Sequence, residues 1–176
     1  MNIRPFLHHH PQLDASVYVD ATAVVIGDVV LKPDVNVWVG AVIRGDTNAI
    51  RIGRGTNIQD LSMLHTTSPS EKNPQGSPLN IGEDVTIGHH VNLHGCTIGN
   101  RVLVGIGSII LDDAVIEDDC MIGAGSLVPP RKILKSGWLY MGSPVKPIRA
   151  LSEEEKAFIL TSAQHYVHLA KEYRFQ

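Results

Sequence analysis

The chain has 176 residues, 43% of them hydrophobic, which is enough for one domain with a substantial core. A formal net charge of −3 carries no nucleic-acid footprint, no apolar run approaches the roughly 20 residues that cross a bilayer, and the N-terminus lacks the basic-then-apolar pattern of a signal peptide. The two cysteines, Cys96 and Cys120, make no disulfide framework and point to a reduced, cytoplasmic setting, while 5% aromatic residues beside abundant Ile, Val and Gly favour thin stacked layers over a core of large rings.

Residues 1–18 show no clear period, and the run His8-His9-His10 reads as part of an exposed N-terminal segment, with an auxiliary metal site as the alternative. From Val19 the pattern is regular. Apolar residues fall at Val19, Val25, Leu31, Val37 and Ile43, six apart, and a small or β-branched residue follows each by four: Ala23, Val29, Val35, Ala41 and Thr47. Such hexads mark a parallel β-helix. Each supplies one short strand and one corner, three make a coil, and only stacked coils bury a continuous core.

After Ile43 the period slips by three, then resumes at Ile52, Ile58 and Leu64. Residues 66–80 break it with three prolines and few apolar side chains, as expected of a loop ejected from the wall. It returns at Ile81, Ile87 and Leu93, slips by one to Ile98, and runs through Val104, Ile110, Ile116, Ile122 and Val128. The prism, spanning 19–145, is expected to stop pairing near Pro129-Pro130. Ser152 with Glu155 then forms a capping box for a helix over 152–173, with Phe158, Ile159, Ala163, Tyr166, Val167 and Ala170 on its apolar face. The helix packs along the prism or onto a neighbouring subunit.

Three histidines stand out. His65 and His94 each follow the apolar starter of a hexad. If the ejected loop leaves and re-enters at a corner, both lie on one face, in adjacent coils about 4.8 Å apart, and point outward. His89 belongs to a different face, so it reaches the same ion only from a second subunit; a threefold closed ring does this three times. Three imidazoles with an open position are the donor set of a catalytic metal site. His90 reads as a bystander. The same count brings Arg44 into the column of His65 and His94, puts Gln59 on the face of His89, and sets Asp46, Asn57 and Asp60 nearby. Arg44 with Asp46 or Asp60 also reads as a plain intersubunit ion pair, and Gln59 as a partner for a backbone group.

Arg44-Gly45-Asp46, Asn57-Ile58-Gln59-Asp60, His65 and Gly88-His89 through Leu93-His94-Gly95-Cys96 together resemble the γ-class carbonic anhydrase family, in its bacterial hexapeptide-repeat branch. The resemblance covers nearly the whole chain. It implies an all-β fold, a left-handed parallel β-helix with a C-terminal α-helix, assembled as a homotrimer. It implies a metal held by His65 and His94 of one subunit and His89 of the next, with Gln59 orienting the reacting oxygen species and Arg44, Asp46 and Asp60 holding the seam. The implied activity is that of a carbonate dehydratase, a lyase converting carbon dioxide and water to bicarbonate, with zinc the expected ion and iron or cobalt also suited to three histidines. Two departures bear on proton export: the family's fast members carry glutamate where this chain has Thr47, and an acidic loop where 66–80 offers only Glu71. The rival readings are a coenzyme A-linked acyltransferase or thioesterase, and a trimeric scaffold that keeps a metal for stability.

Overall fold

The structure is a computed structural model and describes residues 2–174. Short parallel strands climb as a left-handed β-helix, and one long helix, Glu153–Arg174, closes the chain. The prism has three faces. The first carries the leading part of Val24–Leu31 and of Val42–Ile52, then Met63–His65, Asn92–His94, Ile109–Ile110 and Leu127–Val128. The second carries the trailing parts of the same two long strands, then Leu79–Ile81, Thr97–Ile98, Val115–Ile116 and Ile133–Leu134. The third runs from Tyr18–Val19 through Asn36–Val37, Asn57–Ile58, Thr86–Ile87, Leu103–Val104 and Met121–Ile122 to Trp138–Gly142, where antiparallel Val145–Ala150 ends the stack.

The hexad starters form the core. Ile43, Leu64, Leu93 and Ile110 stack in register on the first face, Ile58, Ile87, Val104 and Ile122 on the third, all essentially without solvent contact. Burying each such side chain stabilises by roughly 1.5–3 kcal/mol before entropy is counted. Ala23, Val35, Ala41, Val85, Val91, Ala114 and Cys120 fill the tight corners.

Tyr140 caps the core above Ile122, and a separate cluster of aromatic rings lies outside the prism. Trp38 meets Tyr18, Tyr166 and Tyr173 at centroid distances of 5.3, 5.5 and 5.3 Å, so the helix docks on the third face of its own chain. Its start is the reciprocal capping box: Glu155 N–H donates to Ser152 Oγ at 3.2 Å, and Ser152 N–H donates to the Glu155 carboxylate at 2.9 Å. Arg149 clamps that carboxylate with two bonds of 2.7 Å, and these bonds pull the pKa of Glu155 down to about 2.

Four details depart from the periodic reading. Residues 3–13 are not aperiodic wall: Ile3–Arg4 and Gln12–Leu13 pair with Val24–Leu31 and begin the first coil. The prism continues past Pro129-Pro130, because the prolines sit in a corner, where no ladder donor is needed; Ile133–Leu134 and Trp138–Gly142 still pair. Phe158 is 57% exposed and lies off the buried stripe, which consists of Ile159, Ala163 and Ala170. Thr47 does not fill the corner after Ile43. Ile50 takes that slot, pairing with Val29 below and Leu79 above, so residues 46–49 bulge outward.

Candidate metal centre

That bulge is one of three interruptions, and all fall at the same corner, between the first and second faces. In the lowest coil of this corner the starters Val25 and Leu31 are six apart, and in the upper coils Ile110–Ile116 and Val128–Leu134 keep the same step. In the three coils between, the outward bulge 46–49, the ejected loop after His65 and the shortened turn His94-Gly95-Cys96 replace the regular corner. Backbone that the core does not claim is thereby free to carry polar chemistry.

His65 and His94 lie directly side by side, since their Cα atoms are register partners on adjacent coils. His65 Nδ1 and His94 Nε2 face one another at 3.1 Å. The other ring nitrogen of each is engaged by a carboxylate: His65 Nε2 by Asp46 Oδ1 at 3.0 Å, His94 Nδ1 by Asp112 Oδ1 at 2.7 Å. Asp46 also takes a 2.6 Å bond from Arg44 Nη1. Desolvation opposes its charge, but the bonds from Arg44 and His65 outweigh that and hold the Asp46 pKa below the ordinary carboxylate value. An ionised carboxylate only accepts, so the engaged nitrogens are the N–H nitrogens. In the neutral rings the two that face each other then both present lone pairs. Bare lone pairs at that distance repel, and a cation between them removes the conflict. Zinc–nitrogen bonds near 2.0–2.1 Å at a tetrahedral angle set ligand nitrogens roughly 3.3 Å apart, close to the spacing here.

His89 stands elsewhere, at the corner between the third and first faces. The backbone bonds from Leu61 to Val39, His90 to Asp60, Gly107 to His89 and Gly125 to Ile106 put Val39, Asp60, His89 and Ile106 in one ascending column. Asp60 Oδ2 meets His89 Nδ1 at 2.7 Å, which leaves His89 Nε2 as its outward donor. Within a single chain the three histidines do not converge: among the described residues no group of three or more His, Cys, Asp or Glu side chains is placed to hold a metal. His90 occupies the tip of the corner with φ of 55° and is exposed.

Gln59 precedes Asp60 and is 5% exposed. Its Nε2 donates to Asn57 Oδ1 at 3.1 Å, and fully buried Asn57 is fixed by bonds to Thr86 Oγ1 at 3.0 Å and Val85 O at 3.3 Å. Asn57 therefore sits behind Gln59 and fixes its amide. Arg44 and Asp46 gather at His65, and Asp60 is brought instead to His89.

Asp112, the carboxylate partner of His94, escaped the periodic reading. Asp112 occupies an ordinary corner in the regular part of the repeat, and only its place one coil above His94 marks it. Both cysteines are buried, which pushes their thiol pKa values up, Cys120 to about 11, so neither offers a ready nucleophile.

The family model described as bacterial transferase hexapeptide (six repeats) matches residues 95–130. Protein YrdA of Escherichia coli is 61% identical over 97% of this chain and 93% of its own length. A protein named carbonic anhydrase from Geobacillus kaustophilus is 39% identical over 98% of this chain and 91% of its own. Among solved structures, a putative acetyltransferase from Bacillus cereus superposes with a TM-score of 0.92 at 37% identity, covering 99% of this chain and 98% of that one.

Proposed function

The chain belongs to the γ-carbonic-anhydrase-like family of hexapeptide-repeat proteins, and from that premise we propose that it hydrates carbon dioxide reversibly at a metal centre shared between the subunits of a homotrimer. The observation that carries this reading is the 3.1 Å approach of His65 Nδ1 and His94 Nε2, each ring backed by a carboxylate on its other nitrogen. A divalent ion there, zinc by its donor set with iron or cobalt as substitutes, supplies Lewis-acid activation of water near neutral pH.

His65 and His94 would hold that ion from one subunit and His89 Nε2 from the partner subunit. The surface favours such a seam. On the first face Val42, Met63, Asn92, Ile109 and Leu127 form an outward column beside the histidines, apolar except at exposed Asn92, with Ile109 40% exposed. Leu61 and Ile106, each 55% exposed, bracket Asp60 and His89 at the other corner. Apolar side chains flanking a polar centre on both surfaces suit a closed heterologous ring. Gln59, held by Asn57, has one N–H and its carbonyl oxygen left to orient bicarbonate.

Proton export is the weak half. Thr47 is a latch, since its hydroxyl reaches Thr66 O at 2.9 Å and Thr66 Oγ1 at 2.8 Å. Within the loop the exposed carboxylate is Glu71. Turnover should accordingly be low and should rise with imidazole-type buffer, which replaces a built-in relay. Stopped-flow carbon dioxide hydration on zinc-loaded protein tests the reading. Activity that saturates with buffer concentration supports it; a metal-loaded trimer inert at every buffer concentration would exclude it and bring forward the coenzyme A-linked and scaffold readings.

A further inference from the structure

We propose that Asp112 is the positioning residue of His94, and that Thr67 at the root of the ejected loop holds Asp112 in place, so that loop and metal ligand are mechanically linked. Three observations carry this. Asp112 Oδ1 lies 2.7 Å from His94 Nδ1. The other oxygen, Oδ2, accepts a 3.1 Å bond from Thr67 Oγ1, 45 residues away in sequence. Between them the chain is cleared for the carboxylate: Gly95 has φ of 52°, and a Cβ there would run into Asp112 Oδ1 and the side chain of Ser77. A residue other than glycine would have to push the carboxylate aside or give up the turn.

The consequence is electronic as well as steric. With one oxygen taken by a hydroxyl donor, the carboxylate is left with a single well-aimed acceptor, and that acceptor fixes the His94 proton on Nδ1. Nε2 then carries the lone pair and is aimed at His65. Thr67 itself is pinned by backbone bonds to Ser77 of 3.1 and 3.0 Å that close the base of the loop. Movement of the loop base would therefore shift Asp112 and, through it, the tautomer and orientation of His94. Ion binding should in turn order the loop base. His65 is tied to the loop by backbone neighbours instead, through the Thr47 hydroxyl on Thr66 O and Asn48 Nδ2 on Thr67 O, while its carboxylate partner Asp46 is braced by Arg44.

The consequence for metal affinity rests on the metal-centre reading of the preceding section; the tautomer assignment does not. Both are tested on the intact trimer. Nitrogen-15 histidine spectra of the metal-free protein report which nitrogen of His94 carries the proton, and chelator competition with zinc reports affinity. In unaltered protein His94 should be the Nδ1–H tautomer. Asp112→Ala should scramble that tautomer and weaken zinc binding about 10–100-fold, and Asp112→Asn, whose amide oxygen still accepts, should recover most of the affinity. Thr67→Val, which leaves Asp112 in place and guards against a variant that fails to fold, should weaken zinc several-fold, and Thr67→Ser should restore it. An unchanged His94 tautomer in Asp112→Ala overturns the proposal, whether or not affinity falls. So does Thr67→Val binding zinc like the unaltered chain. If unaltered protein binds no zinc while His94 still shows the Asp112-dependent tautomer, the metal-centre reading fails and the positioning contact stands.

Discussion

The upper coils and the interrupted corner are built from the same hexads but spend them differently. From Ile98 to Val128 every starter is six residues from the last, every corner is filled by a small side chain, and the outward positions carry little chemistry. At the interrupted corner the same stack is kept, since Ile50 and Leu79 fill the slot below Cys96, but the chain between strands is let out or drawn in. Asp46, His65, Thr67 and His94 all sit on those irregular pieces. Asp112 reaches in from the regular coil above. The difference teaches that in a solenoid the core needs only the buried residues of each turn. Length at a corner is free, and function can be inserted there at little cost to stability.

Variants that strike one region and spare the other break this comparison if it is wrong. The largest effect should come from the ligands. His65→Ala, His89→Ala and His94→Ala should each remove most bound zinc, measured by plasma emission on purified protein, with thermal unfolding of the metal-free forms nearly unchanged; His90→Ala should keep its zinc. Next, Ile122→Ala in the regular stack should cost roughly 2–5 kcal/mol in denaturant unfolding through the cavity it leaves, while zinc affinity of the folded protein stays put. Gly95→Ala should do both, costing about 1–3 kcal/mol for a strained left-handed turn and displacing Asp112. Ser152→Ala should cost about 1 kcal/mol through the lost helix cap and leave zinc binding untouched.

The smallest effect is one of pH. The folded Asp46 carboxylate has a lowered pKa, so its contribution is present above its ordinary value of roughly 4 and is lost as pH falls through the lower folded value. The stability gap between unaltered protein and Asp46→Asn should be flat near neutrality and close in acid. A gap that widened in acid would mean that Asp46 is not held by Arg44 and His65.

Much of this was legible in the chain itself because the buried residues repeat. A period of six over more than a hundred residues specifies stacked strands, and counting faces from it brings His65 beside His94 and keeps His89 apart. Handedness was not legible, since periodicity is the same for either hand. The interrupted corner was visible only as slips in the count. The period locates where the core resumes, but it does not say how the extra residues fold, so Thr47 looked like a corner filler when Ile50 holds that place. Asp112 was hidden for the opposite reason: it breaks no pattern, and only contact with His94 reveals it. The prolines at 129 and 130 misled because a corner tolerates what a ladder does not.

The central claim is that one metal centre needs His65 and His94 from one chain and His89 from another. Co-expression of His89→Ala chains with His94→Ala chains, followed by isolation of mixed trimers and zinc counting, tests it most directly. Each variant alone should hold almost no zinc. In a mixed trimer the ring has one seam where an intact His65–His94 pair meets an intact His89, so about one ion per trimer should return. Mixed trimers as empty as their parents, or a stable monomer carrying its full zinc, would contradict the account.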